Sequence, residues 1–192
     1  EIIINPMVIG FQEPANIIYR EGARPGDILI ANGKFGLTGV GFEILLNKKG
    51  DINPYPNYKR SIESVLEPSE ISSEGIYLGK NNYATSSIDS SDGLARSLIE
   101  LKKSNPNVGF EIFINEVLVE EEASYYSKEF NVPIENLILN GGEEFIHLFT
   151  IPPKKWEDLK ERRHSENLIL YQIGKVTDKD EIVMVKENKK IK

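Results

Sequence analysis

Ala84-Thr85-Ser86-Ser87-Ile88, followed without a break by Asp89-Ser90-Ser91-Asp92-Gly93-Leu94, sets a short strand, a polar turn and an amphipathic helix in immediate succession. From Asp92 to about Ser104, Leu94, Leu98 and Leu101 recur at helical spacing with Ala95 and Ile99 beside them, which gives one buried stripe. Asp89 then leaves the strand end and Asp92 opens the helix. Two readings of the turn are open. One oxygen of Ser91 or Asp92 would suffice to cap the helix. Two carboxylates and two hydroxyls could instead hold Mg²⁺ and phosphate together, because a helix N-terminus offers unpaired N–H groups and hard cations prefer carboxylate oxygen.

Working outward, Ile28-Leu29-Ile30-Ala31 reads as a buried strand, preceded by the turn-rich Tyr19-Arg20-Glu21-Gly22-Ala23-Arg24-Pro25-Gly26-Asp27. Gly33, Gly36, Gly39 and Gly41 punctuate a helix running to Lys48 or Lys49. They match neither a Walker A loop nor a GxGxxG fingerprint, and close helix–strand packing explains them. Further helices are expected at Lys59–Leu66, Ser69–Lys80, Glu120–Phe130, Ile134–Leu139 and from Pro152-Pro153 to about Arg163. Further strands are expected at Val108–Ile114, Phe145–Ile151, Leu168–Val176 and Glu181–Lys186, the last two joined by Asp178-Lys179-Asp180. Residues 2–12 read as a strand interrupted by Asn5-Pro6, and the Lys-rich tail Lys186–Lys192 as solvated. This order predicts an α/β chain of the α+β type, a mixed sheet layered with helices.

The chain has 192 residues, 40% hydrophobic and 28% charged, with a net charge of −7. Such a composition suits a globular protein with a sizeable core and argues against a broad basic face for nucleic acid. No apolar run approaches the roughly 20 residues of a membrane span. With no cysteine, thiolate catalysis and zinc–thiolate sites are excluded. A cytoplasmic location is the default expectation. Glu1, not Met, opens the chain directly onto Ile2-Ile3-Ile4, and the expectation is that something precedes it.

A second polar cluster is Asn140-Gly141-Gly142-Glu143-Glu144. The glycines permit close approach by a ligand and the acids supply acceptors, although a glycine turn with solvated acids explains the same residues. Phe145 and Phe149 read as core. His147, among apolar neighbours, reads as a hydrogen-bonded structural histidine, and His164 as a solvated helix end.

Taken together, the Arg20–Asp27 turn, the Asp89–Leu94 turn and Gly141-Gly142-Glu143-Glu144-Phe145 with Leu148-Phe149-Thr150 resemble the thiamine-monophosphate kinases of the aminoimidazole ribonucleotide synthetase superfamily. That family has an Arg-x-Gly-Ala-x-x-Gly-Asp turn before a strand. It also has an Asp-x-Ser-Asp-Gly-Leu turn opening a helix, and a Gly-Gly-Glu-Asp-Tyr turn before a Leu-Phe-Thr strand. The resemblance covers about Arg20 to Val176 and implies the fold of the superfamily's C-terminal domain, with residues 20–192 forming it and residues 1–19 a remnant of the N-terminal ATP-binding domain.

The resemblance implies that Asp89 and Asp92 bind Mg²⁺, that Ser91 and Arg20 contact ATP, and that Glu143 contacts thiamine monophosphate. It further implies phosphoryl transfer from ATP giving thiamine diphosphate and ADP, no dedicated catalytic base, and a homodimeric parent enzyme. Most of the family's metal ligands lie upstream of these motifs, so the chain alone is expected to be inactive. Glu144, Phe145 and Ile146 depart from the family's pattern, and so does the non-aromatic end Glu187–Lys192. A superfamily member acting on another phosphorylated substrate, or a non-catalytic nucleotide- or partner-binding module, are the alternative readings.

Overall fold

The computed structural model describes residues 2–47, 52–68, 73–186 and 189–191. In chain order the strands are β1 (Ile28–Ala31), β2 (Ser86–Ser90), β3 (Gly109–Phe113), β4 (Ile146–Ile151), β5 (Tyr171–Thr177), β6 (Ile182–Lys186) and β7 (Lys189–Ile191). The helices are α1 (Leu37–Phe42), α2 (Lys59–Leu66), α3 (Glu74–Lys80), α4 (Leu94–Ser104), α5 (Glu121–Phe130), α6 (Ile134–Asn140) and α7 (Pro153–Arg162). A π-helical turn, Glu43–Asn47, prolongs α1. No helix among the described residues is long and apolar enough to cross a membrane.

The strands form one mixed sheet in the order β2-β4-β1-β5-β3-β6-β7, antiparallel except for the parallel pair β3 and β6. The unbroken apolar run of β1 sits between β4 and β5 because both its faces are covered. Leu29 and Ala31 enter a larger core with Leu94, Leu98, Leu101, Leu137 and Ile138, on the side of α1, α4, α5 and α6. Ile30 enters a smaller one with Leu78, Phe149, Trp156 and Leu159, on the side of α3 and α7. The fold is therefore the expected layered α+β sheet.

Several boundaries differ from the sequence expectation. β2 is Ser86–Ser90, not Ala84–Ile88, because the ladder continues past the last apolar residue through Asp89 opposite His147 and Ser90 opposite Ile146. Helix α4 starts at Leu94, so Asp92 precedes the helix. Residues 2–12 form no strand, and Ile2, Val8 and Phe11 are 89%, 94% and 98% exposed; alternation without a pairing partner does not make a stable strand. The tail is not simply solvated, since Lys189–Ile191 adds an edge strand to β6, where lysines are at home. β5 and β6, though joined by a turn, are separated by β3. The expected helix over Ser69–Lys80 is present from Glu74, and residues 69–72 lie outside the described ones, as do Lys48 and Lys49.

Candidate functional site

The turn after β2 does not cap its helix. The N-cap is Gly93, with φ 90° and ψ 159°, and no side chain bonds the first-turn amides. Ser91 and Asp92 are thus free of the structural duty that was the alternative reading. Ser97 of α4 instead ties the turn from within, its hydroxyl donating to the carbonyls of Asp89 and Gly93 at 3.1 Å each. The Ser90 hydroxyl is buried with no partner among the described residues. Asp89 and Asp92 are both exposed.

The two polar clusters are brought into one place. Glu143 N–H donates to the Ser91 carbonyl at 2.7 Å, and Phe145 N–H to the Ser90 carbonyl at 3.1 Å. Their backbones touch: a Cβ on Gly93 would lie 2.8 Å from the Leu139 oxygen, and one on Gly142 3.0 Å from the Ser91 oxygen. Gly93 is constrained both by that contact and by its positive φ, and Gly142 by a tight approach alone. Glu143 (φ 61°) and Phe145 (φ 53°) hold left-handed backbone, a strain of about 1–2 kcal/mol per residue for side chains that lack glycine's freedom. Neighbouring hydrogen bonds keep that geometry in place.

Between these strained residues Glu144 points the other way. Its Oε1 accepts from the Gly36 N–H at 2.7 Å, capping α1 where glycine has no side chain to do so. Glu144 as a whole is only partly buried, but its Oε2 is shut off from solvent and has no hydrogen-bond partner among the described residues, and the same holds for Thr38 Oγ1. Burial pushes the carboxyl up to about 8, against the opposing pull of the Gly36 and Thr38 backbone N–H groups. Burial therefore favours its protonated form. A cavity of about 180 Å³ lies here, lined by Lys34, Thr38, Glu120, Glu143 and Glu144 among others. Lys34 Nζ donates to the Glu116 carbonyl at 2.8 Å and sits 5.7 Å from the centre of the Tyr171 ring.

Arg20 follows Tyr19, whose carbonyl accepts from the Ser87 N–H of β2 at 2.9 Å. The Arg20 carbonyl accepts from Asn105 Nδ2 at 2.9 Å, beyond the C-terminal end of α4, and its charge helps lower the Glu100 pKa after the larger effect of Lys103. Among the described residues it forms no ion pair. Asn105 also takes the N–H groups of Gly22 and Ala23 on its Oδ1, at 2.8 and 3.0 Å. Asp27 is structural: its Oδ2 accepts from Arg24 N–H at 3.0 Å and from the Thr85 hydroxyl at 2.7 Å. His147 differs from its expectation as a hydrogen-bonded histidine, because Nδ1 is buried without a partner and the ring meets Phe149 edge-on at 5.9 Å. Desolvation lowers its pKa, while Asp89 and Glu74 act to raise it. His164 is exposed, as expected.

Asp89, Ser91, Asp92 and Glu143 thus share one locality. No group of three or more His, Asp or Glu among the described residues converges to hold a metal ion. Two exposed acids nevertheless fit Mg²⁺, which keeps several waters and takes one or two carboxylates along with substrate phosphates. Sequence reasoning named Glu144 as an acceptor beside Glu143 but missed its bond to Gly36, and it missed Thr38 and Lys34. The only signal for Glu144 was its place beside Glu143, since its partner at Gly36 is 108 residues away.

A strand–turn–helix bonded to a glycine turn, on a seven-stranded mixed sheet, defines an aminoimidazole ribonucleotide synthetase-like fold. No family model matches the chain. A crystal structure of a thiamine monophosphate kinase from Aquifex aeolicus matches at 28% identity and TM-score 0.69, over 91% of this chain and 54% of that one. A structure described as AaThiL complexed with AMPPCP and TMP matches at 30% identity and TM-score 0.68, over 91% and 52%. The hydrogenase maturation protein HypE of E. coli shares the fold alone, at 15% identity and TM-score 0.64 over 93% of this chain and 52% of that one. Among sequences, thiamine-monophosphate kinase of Nitrosopumilus maritimus is 32% identical over 192 residues, which are 100% of this chain and 58% of that protein. The Pyrococcus horikoshii enzyme is 34% identical over 191 residues, 98% of this chain and 54% of that protein. The chain belongs to the thiamine-monophosphate kinase family, and it spans about half the length of the curated relatives it matches.

Proposed function

We propose that this chain is the C-terminal part of an ATP-dependent thiamine-monophosphate kinase, with residues 20–192 as its C-terminal domain and residues 1–19 as the end of an ATP-binding domain. The observation that carries the reading is the pair of hydrogen bonds from Glu143 and Phe145 to Ser91 and Ser90, which unite the two turns. In the reaction the bond between the γ-phosphorus and the ADP oxygen breaks. A bond forms from that phosphorus to a phosphate oxygen of thiamine monophosphate. Such transfer requires positioning and charge neutralisation rather than a covalent nucleophile. Asp89 and Asp92 would hold Mg²⁺, which when bound neutralises phosphate charge. Ser91 supplies a hydroxyl to the nucleotide, and Arg20 a guanidinium suited to phosphate. Glu143 accepts hydrogen bonds from the aminopyrimidine or offsets the thiazolium charge.

With two carboxylates alone to hold a hydrated Mg²⁺, the 192-residue chain is expected to form no thiamine diphosphate. Measured formation by that chain would refute this. Intact mass of the native protein tests the assignment as a C-terminal part. Turnover of the full-length enzyme with thiamine monophosphate against aminoimidazole precursors tests the substrate: the proposal requires product with the former only.

A further inference from the structure

The turn that carries Glu143 is held from two sides, and the second side has no role in the reading above. On one side, Glu143 and Phe145 donate their backbone N–H groups to Ser91 and Ser90. On the other, the Glu144 carboxyl accepts from Gly36 at the start of α1. Glu143 and Phe145 both hold left-handed backbone, which persists only where the surroundings over-determine it. A carboxyl enclosed with one oxygen unpartnered, beside an equally unpartnered Thr38 hydroxyl, is costly unless it performs a service.

We propose, resting on the kinase reading, that Glu144 is a positioning residue that fixes the direction in which Glu143 is presented to the substrate. Glu143 and Glu144 are consecutive in a turn with left-handed backbone at Glu143 and Phe145, so the bond of Glu144 to Gly36 restricts the direction Glu143 can take. Glu143 is exposed, whereas the Glu144 Oε2 is sealed. Ionised, Oε2 is an acceptor for the Thr38 O–H; protonated, it is a donor to the Thr38 oxygen. Glu144→Gln keeps the size and an N–H donor in that place; Glu144→Ala removes both anchors.

Two readouts on the full-length enzyme test this. In hydrogen exchange followed peptide by peptide, Glu144→Ala should speed exchange around 33–38 and 141–146 by about tenfold, the loss of roughly one buried hydrogen bond, with the centre of β4 unchanged. In steady-state kinetics the same variant should raise KM for thiamine monophosphate about tenfold at nearly constant kcat and unchanged KM for ATP. Glu144→Gln should restore both. Exchange unaltered in the two segments, acceleration spread evenly through the sheet, an unchanged KM, or failure of Glu144→Gln to rescue would each overturn the inference. Absence of turnover by the wild-type enzyme would instead overturn the kinase reading and the substrate role with it, while exchange still decides whether Glu144 fixes the turn.

Discussion

Two clefts on this molecule differ in what their polar groups are doing. The larger, about 770 Å³ between α2 and α5, is lined by Tyr58, Arg60, Glu121, Glu122, Tyr125, Lys128 and Glu129 among others. Its acids are satisfied locally: Tyr58 donates to Glu129 at 2.5 Å, Tyr125 to Glu121 at 2.7 Å, and Ser61 gives Glu122 both its N–H and its hydroxyl, at 2.9 and 2.6 Å. The smaller, about 180 Å³ beside Glu143, has orphaned oxygens on Glu144 and Thr38, and strained backbone at Glu143 and Phe145. Volume points to the first cleft and unspent chemistry to the second. Strain and unsatisfied groups cost stability, and they persist where the surrounding structure enforces them.

Substitutions can sharpen or break this contrast. The largest stability effect is expected at Gly93→Ala, where a methyl would meet the Leu139 oxygen at 2.8 Å in a backbone with φ 90°; chemical denaturation should show a loss of about 2–4 kcal/mol. In the large cleft, Tyr58→Phe removes one hydrogen bond and should cost about 1 kcal/mol in the same measurement. It should leave turnover of the full-length enzyme unchanged. Lys128→Ala should move stability by less than about 0.5 kcal/mol. Equal losses at Gly93 and Lys128 would erase the distinction.

A pH series separates the clefts in another way. Glu144 has its folded pKa raised from an ordinary 4.5 to about 8, so the folded state favours its protonated form. Its contribution to stability is full below about pH 4.5, declines as pH rises through 8, and is constant above. Glu144→Gln should flatten that decline between pH 5 and 9, as followed by melting temperature. The buried tyrosines respond only at the alkaline end, burial and the Glu129 hydrogen bond pushing Tyr58 upward and burial raising Tyr126 to about 12.

Local signals were legible where one segment supplied the whole cause. The apolar run of β1 and the helix α2 have the boundaries expected from sequence, Ile28–Ala31 and Lys59–Leu66. Each rests on composition or on flanking prolines rather than on distant partners. The Asp89–Leu94 and Gly141–Glu144 turns were also legible as polar clusters. Their union was not, because it depends on backbone contacts between segments about 50 residues apart, which no local pattern encodes. Residues 2–12 carry an alternating pattern that the structure leaves unpaired, since pairing is settled by neighbours and not by alternation.

The proposed function makes the joined turns, and not the larger cleft, its working part. It is tested most directly by thiamine diphosphate formation from ATP and thiamine monophosphate by the full-length enzyme, wild type against Asp89→Asn and Lys128→Ala. The account predicts that Asp89→Asn lowers kcat by about 100-fold or more with an unchanged melting temperature, as expected for loss of a charge that positions phosphate, while Lys128→Ala matches the wild type. Undiminished turnover in Asp89→Asn, or a collapse in Lys128→Ala, would contradict it.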